Sequence, residues 1–382
     1  VRRIYLDNAA SRPVRAEVIE AMKPFFSEKF GNASSLHSFG REAKEWLEKS
    51  REKIASLVKC KPEELYFTSG GTESNNFALK GLFFANNKKH IITTSIEHDC
   101  ILNTCRWLEK QGAEVTYLPV DKYGIVDLDA LEKSIRKDTL VVSIIHANNE
   151  IGTIQDLKEI GKICKEKGVL FHSDACQSFI KTEVNVKKFN LDLMTINSHK
   201  IYGPKGVGAL YIREGVNIAP LLHGGGHERG KRSSTENVAG IVGFAKAAEL
   251  GCAEMETEMA RQRKLRDYMI EEVLKIEDSW LNGHREKRLA DNGNFCFRYI
   301  EGESLVLYLD RAGIAVSTGS ACSSTSLEPS HVLLALGLKP EDAHGSIRVS
   351  MGRYTKREDI EYFLEVLPKT VERLREISPF KK

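Results

Sequence analysis

From about residue 64 the chain alternates short β-rich runs with helical patterns, and this rhythm constrains the fold more than any other feature. ELYFTSGG reads as a strand ending in glycines, and TESNNFALKGLFF as the helix after it. HIITTS is a strand, followed by a helical stretch over 99–111. EVTYLPV is a strand, and Leu128, Leu131 and Ile135 then mark one helix face. LVVSIIHAN, a helix over about 156–167 and VLFHSDA continue the series. Such alternation predicts a largely parallel sheet covered by helices on both faces. Nearly unbroken apolar runs such as LVVSII suit strands buried on both sides. The rhythm then changes. LDLMTINSHK and GVGALYIRE read as strands joined by the turn-rich IYGPKG, and a long helical pattern spans about 236–275. NFCFRYI, a helix from about Glu303, IAVST, GSIRVSMG and a final amphipathic helix follow. The expected division is a large α/β domain over 15–255 and a smaller α+β domain in the C-terminal third.

Composition narrows the function classes. With 56 basic and 53 acidic residues the net charge is +3, too balanced for a nucleic-acid binder, and no basic run carries interleaved aromatics. No stretch approaches the ~18 apolar residues of a membrane span, and VRRIYLDNAA holds no apolar signal-like core. A cytoplasmic protein is the expectation. Eight cysteines are dispersed and never form CxxC, so a disulfide framework is not expected. Cys322 stands apart. It lies in STGSACSSTSLEP, among serines, threonines, glycine and alanine, which reads as an exposed loop over 317–329. Free cysteines are usually buried as small hydrophobes.

In an open parallel sheet, ligands bind outside the carboxyl ends of the strands. Four such ends carry chemistry. TSGGTESNN brings Gly70, Gly71 and Thr72 to a helix start, where free N–H groups favour an anion. It matches neither nucleotide-binding glycine pattern. FHSDACQ ends an apolar strand in Asp174, a carboxylate that needs a cation or donors, with Gln177 nearby as a donor. INSHKIYGPKG places His199 and Lys200 before a rigid turn, and a desolvated lysine can form a Schiff base. IEHDC offers His98 for stacking on a flat ring or moving a proton. Singly, each also has an ordinary role: a helix cap, a capping aspartate, a surface lysine, a structural histidine. Together they match what pyridoxal phosphate needs: a lysine for its aldehyde, an acid for its ring nitrogen, a phosphate cup and a group over the ring.

TSGGTESNN, SIEHD, HANNEIGTIQD, HSDACQ, SHKIYGPKGVGALY, HGGGHERGKRSST, STGSACSSTSLEPSHVL and GSIRVSMGRYT, taken in order, resemble the NifS/IscS group of cysteine desulfurases. The resemblance runs from LDNAA to the last helix. It implies a homodimeric transferase of the fold-type I pyridoxal-phosphate class, with a mixed, mostly parallel seven-stranded sheet in the large domain. Residues 1–14 would join 256–382 in the small domain. Lys200 would hold the cofactor, Asp174 its ring nitrogen and Gln177 its ring hydroxyl, with His98 stacked above. Gly71, Thr72, Asn197 and His199 would hold the phosphate, with Thr235 reaching it from the other subunit. Asn149 and Arg348 would take the substrate carboxylate. Asn197 departs from the family's usual serine, so that contact loses its hydroxyl and keeps an amide donor. Cys176, between the acid and the glutamine, is expected to be buried and structural.

The implied reaction converts L-cysteine to L-alanine. Lys200 removes the α-proton, Asp174 keeps the ring charged, and His98 handles thiol protons. The Cys322 thiolate takes the substrate sulfur as a persulfide for iron–sulfur cluster assembly. An IscU-like scaffold or another sulfur acceptor would be the partner. Two other readings stay open: a selenocysteine lyase-like enzyme, and a sulfur or iron–sulfur carrier in which Cys322 is a metal ligand completed by a partner's cysteines. HGGGH at 223–227 offers no rigid metal site of its own.

Overall fold

The computed structural model describes residues 3–318 and 329–379. Strand β1 (Ile4–Tyr5) belongs to a small sheet. The main sheet is built from β2 (Leu65–Thr68), β3 (His90–Thr94), β4 (Glu114–Leu118), β5 (Thr139–Ser143), β6 (Leu170–Asp174), β7 (Leu193–Asn197) and β8 (Gly208–Ile212). Its order is β2-β8-β7-β6-β5-β3-β4. β8 runs antiparallel to both neighbours, and the other pairs are parallel. The expected mixed, mostly parallel seven-stranded sheet is borne out.

Successive residues of each strand bury on opposite faces. Ile92, Val142, Phe171 and Met194 enter one core, while Ile91, Val141 and Leu193 enter another. Two buried faces are why these strands read as continuous apolar runs.

The helix Ser38–Val58, a segment to which the sequence reading assigned no element, packs against the helix Val238–Val273. It carries a buried Arg51, whose guanidinium grips Glu228 at 2.7 Å through both Nη atoms. Glu228 Oε2 also accepts from Phe67 N–H at 2.8 Å, which ties the pair to β2. Removing one partner of such a buried pair strands the other charge. Glu228→Gln is therefore expected to lower unfolding stability by roughly 3 kcal/mol in a urea titration.

The 36-residue helix Val238–Val273 serves two cores. Residues such as Phe244 and Ala247 bury against the main sheet, whereas Met269, Ile270 and Val273 bury with the second core. That core surrounds β9 (Ser279–Leu281), β10 (Asn292–Phe297) and β12 (Ser346–Ser350), an antiparallel sheet in the order β12-β10-β9. β11 (Ile314–Ala315) pairs in parallel with β1, so Ile4 and Leu6 join the same core. Residues 7–9 then cross from β12 to the end of the main sheet.

Candidate active site

The carboxyl ends of β6 and β7 lie side by side, with Asp174 opposite Thr195. Lys200 sits just beyond β7 in the short 3-10 turn His199–Ile201. Across the sheet, β2 ends at Thr68 and the chain turns through Gly70 at φ +153°, a conformation that suits only glycine. The helix Gly71–Ala85 starts there, and its first intrahelical hydrogen bond runs from Ser74 N–H to Gly70 C=O. The N–H groups before Ser74 have no helical acceptor.

They border a cavity of about 350 Å³ lined by Gly70, Gly71, Thr72, His199 and Lys205. Asn197 lies under the helix start. Its Nδ2 is 3.6 Å from where a Cβ on Gly71 would stand, and Cys176 Sγ is only 2.6 Å from that point. Gly71 is thus required by close packing. Asn197 Oδ1 and Ser198 Oγ are buried without a hydrogen-bond partner. Burial, then Lys200, Lys205 and Lys181, push the His199 imidazole down to about 4. It is neutral at pH 7 and can donate one N–H to an anion.

Asp174 is buried, and its carboxyl group is held in place by two donors. Oδ2 accepts from Asn75 Nδ2 at 2.7 Å, and Oδ1 accepts from Cys176 N–H at 2.8 Å. Gln177 Nε2 donates to Ala9 C=O at 2.9 Å. His98 caps the helix Asp99–Glu109, its Nδ1 accepting from Cys100 N–H at 3.1 Å. Burial lowers its proton affinity, and Lys200 lowers it further, which places Lys200 within electrostatic reach of the ring. The thiols of Cys100 and Cys176 are buried and their pKa values raised, the first to about 12. Cys176 is buried as expected. Sequence reading missed Asn75, although it stands one turn after Thr72 on the same helix. It also missed Glu97, whose buried carboxyl accepts from Thr94 Oγ1 and Ile145 N–H and is pushed up to about 8 by burial.

Arg348, on β12, reaches this edge from the three-stranded sheet. Its Nη1 donates to Asn149 C=O at 3.0 Å and its Nη2 to Asp7 Oδ1 at 2.9 Å. Its Nε is buried without a partner. Asn149 thus meets Arg348 through its backbone carbonyl. Cys322 lies outside the described residues. The described residues on either side of it are held at this same edge. Ser317 exchanges backbone hydrogen bonds with Arg348, Ser330 Oγ donates to Glu150 Oε2 at 2.5 Å, and His331 Nε2 donates to Glu97 C=O at 2.9 Å. Thr235 is exposed and does not line the cavity of its own chain. Arg232 pairs with Glu73 and fastens that segment to the helix start. Among the described residues, no group of three or more His, Cys, Asp or Glu side chains is placed to hold a metal ion.

A buried carboxylate at the end of β6, an anion cup at a helix start and a lysine just beyond β7 form an aminotransferase-type site. The sequence model described as Aminotransferase class-V matches residues 4–363, and the chain belongs to the class-V aminotransferase family. It is 57% identical to a cysteine desulfurase IscS of Dictyoglomus turgidum, over 100% of this chain and 98% of that protein. It is 55% identical to a cysteine desulfurase IscS of Methanosarcina thermophila, over 98% and 94% of the two chains. Among solved structures, a NifS-like protein superposes with a TM-score of 0.92 at 40% identity, covering 97% of this chain and 100% of that one. SspA in complex with cysteine gives 0.83 at 38% identity, covering 92% and 100%. The NifS/IscS resemblance read from the motifs is borne out along the whole chain.

Proposed function

We propose that this protein is a pyridoxal-phosphate-dependent cysteine desulfurase that forms L-alanine and passes sulfur through Cys322 toward iron–sulfur cluster assembly. The observation that supports the reading is that Lys200 follows the end of β7, beside the β6 end that carries the buried Asp174, while its neighbour His199 lines the helix-start cavity. The residues fit the cofactor. The cavity offers N–H groups without helical acceptors and a neutral His199, which suits a phosphate. The Asp174 carboxyl, fixed by two donors at a strand end, suits a protonated ring nitrogen. When bound, pyridoxal phosphate supplies an electron sink for bonds at the substrate's α-carbon.

The chain's own groups do the rest. Lys200 holds the cofactor aldehyde and moves the α-proton. Gln177 gives an N–H to the ring hydroxyl. His98, its proton affinity lowered by burial and by Lys200, would stack on the cofactor ring and accept the substrate's thiol proton. Gly71, Thr72, Asn197 and His199 hold the phosphate. Arg348, its Nε unused, binds the substrate carboxylate beside Asn149. The Cys322 thiolate bonds to the substrate sulfur as the bond from that sulfur to the β-carbon breaks. The electron pair goes to the β-carbon, which takes a proton and becomes the methyl group of alanine. Cys322 keeps the sulfur as a persulfide, and an IscU-like scaffold is the proposed acceptor.

A second copy of the chain completes the site by contributing Thr235. Phe26, Phe30, Leu36 and Phe39 support this, since they are exposed together and the rings of Phe30 and Phe39 lie 5.6 Å apart. An apolar cluster of that size suits a subunit interface. A cytoplasmic setting follows from a chemistry that depends on reduced thiols. No helix among the described residues is long and apolar enough to cross a membrane.

The direct test is an absorbance spectrum before and after adding cysteine, with alanine and persulfide assayed together. The expected result is a visible band that responds to cysteine, with one persulfide per alanine in the first turnover. Alanine without persulfide would sink the role of Cys322. Arg348→Gln is expected to raise KM for cysteine roughly 30–100-fold while leaving the visible band of the resting protein in place.

A further inference from the structure

Lys181 is a buried lysine, with only 2% of its side chain exposed. Its Nζ lies 2.9 Å from Asp291 Oδ2 and 3.1 Å from Gln177 Oε1. Arg12 Nη2 reaches the same Asp291 oxygen at 2.5 Å. Two cations therefore share one carboxylate, in a cluster that joins residues near β1, the turns after β6 and the residue before β10. Arg12 with Asp291 would already make a balanced buried pair, so Lys181 adds an uncompensated charge where charge is expensive.

What Lys181 also adds is a grip on Gln177. The two ends of an amide have the same shape, so its orientation is set by its partners. A protonated lysine has donors only, so Oε1 must face Lys181. Nε2 must then face the other way, where it gives one hydrogen to Ala9 C=O at 2.9 Å and keeps a second for a ligand. Ala9 is itself fixed, because its N–H donates to Ser350 Oγ at 2.8 Å. We infer that Lys181 is a positioning residue for the cofactor ring: it locks the Gln177 amide with an N–H toward the ring hydroxyl and sets a second titratable ammonium beside Lys200. The inference rests on the pyridoxal-phosphate reading above.

The charged groups facing Lys181 are Asp291, Arg12 and Lys200, and His199 in turn feels Lys181. Burial lowers the Lys181 ammonium to about 7; Arg12 and Lys200 act in the same direction and Asp291 against it. Arginine cannot give up its proton, so Lys181 is the member of the cluster that titrates. Once neutral, its nitrogen can accept a hydrogen bond, and the constraint on Gln177 relaxes.

The test is a pH titration of the visible band of the cofactor-loaded protein, for wild type, Lys181→Met, Lys181→Gln and Lys181→Arg. Losing a nearby cation favours the protonated form of the Lys200 linkage, and so does losing the donor on the ring oxygen. Met and Gln are both expected to raise the midpoint by about one unit, the size of a single charge effect at an effective dielectric of about 20. Arg, which keeps the charge and the donors, returns it to near the wild-type value. If wild type loads with no visible band, the cofactor reading fails and this inference with it. If the band is present and both Met and Gln leave its midpoint unmoved, the positioning role alone is overturned.

Cofactor-free protein gives an independent readout. The folded Lys181 value lies below its ordinary 10.5, so between pH 7 and 10 the unfolded chain binds more protons. Wild-type stability relative to Lys181→Met should therefore rise across that range. A pH-independent difference would contradict a buried, titrating Lys181.

Discussion

Replacing Lys200 with alanine is expected to abolish the visible band of the reconstituted protein and to lower alanine formation by at least ~10⁴-fold. The loss is large because the proposed mechanism gives one amine two jobs: it carries the cofactor and moves the α-proton. The buried Asp174, with its donors Asn75 and the Cys176 N–H, is untouched by the change, as is the cavity at Gly71 and Thr72. Cofactor held without a covalent link is then expected to stay detectable by equilibrium dialysis, at weaker affinity. Retention of the visible band in Lys200→Ala would mean that another amine is the attachment point. Lys205 lines the same cavity and is the candidate to check first.

The second large effect is expected at Cys322, and its signature is a separation of two readouts. Cys322→Ser should keep the visible band and its response to added cysteine, because none of the groups that hold the cofactor is altered. Persulfide formation should vanish, and steady-state alanine production should fall by ~10³-fold or more, since a serine hydroxyl is a far poorer nucleophile toward sulfur than a thiolate. The other cysteines near the site cannot substitute. Cys100 and Cys176 are buried with raised pKa values, so they carry little thiolate at neutral pH. Sulfide release at the wild-type rate from this variant would show that sulfur leaves without passing through Cys322.

The parts of the site that were legible in the sequence are those whose chemistry is out of keeping with a strand end. Asp174 closes an apolar strand, Lys200 follows one, and Gly70–Gly71 open a helix. Each can be spotted within a window of ten residues. Lys181, Arg12 and Asp291 could not be, because the cluster forms only when three distant pieces of chain meet. Nothing about Lys181 four residues after Gln177 distinguishes it from a surface lysine until Asp291 is placed beside it. Arg348 was legible only through resemblance, and its ties to Asp7 and to the Asn149 carbonyl appear only in the fold. The helix Ser38–Val58 did carry a readable signal, with Ala43, Leu47, Ile54 and Val58 buried at helical spacing. The long helix Val238–Val273 was readable as a helix but not as a bridge. Its first turns are buried nearly all round and its last turns along one stripe, and that difference comes from the two cores it enters.

The crossing of residues 4–12 onto β12 also fixes an order of events during synthesis. Asp7 and Ala9 leave the ribosome hundreds of residues before their partners Arg348 and Ser350. The strand ends that carry Asp174 and Lys200, and the helix Gly71–Ala85, belong to the main sheet, which is complete once β8 has been made, whereas the ties that hold Gln177 wait for Asp291 and Ser350. Contacts of such long separation in sequence form last. A nascent chain can therefore assemble the main sheet and its strand-end groups well before Arg348 joins them. The edge where Asp7, Asn149 and Arg348 meet is thus the part of the molecule that closes last.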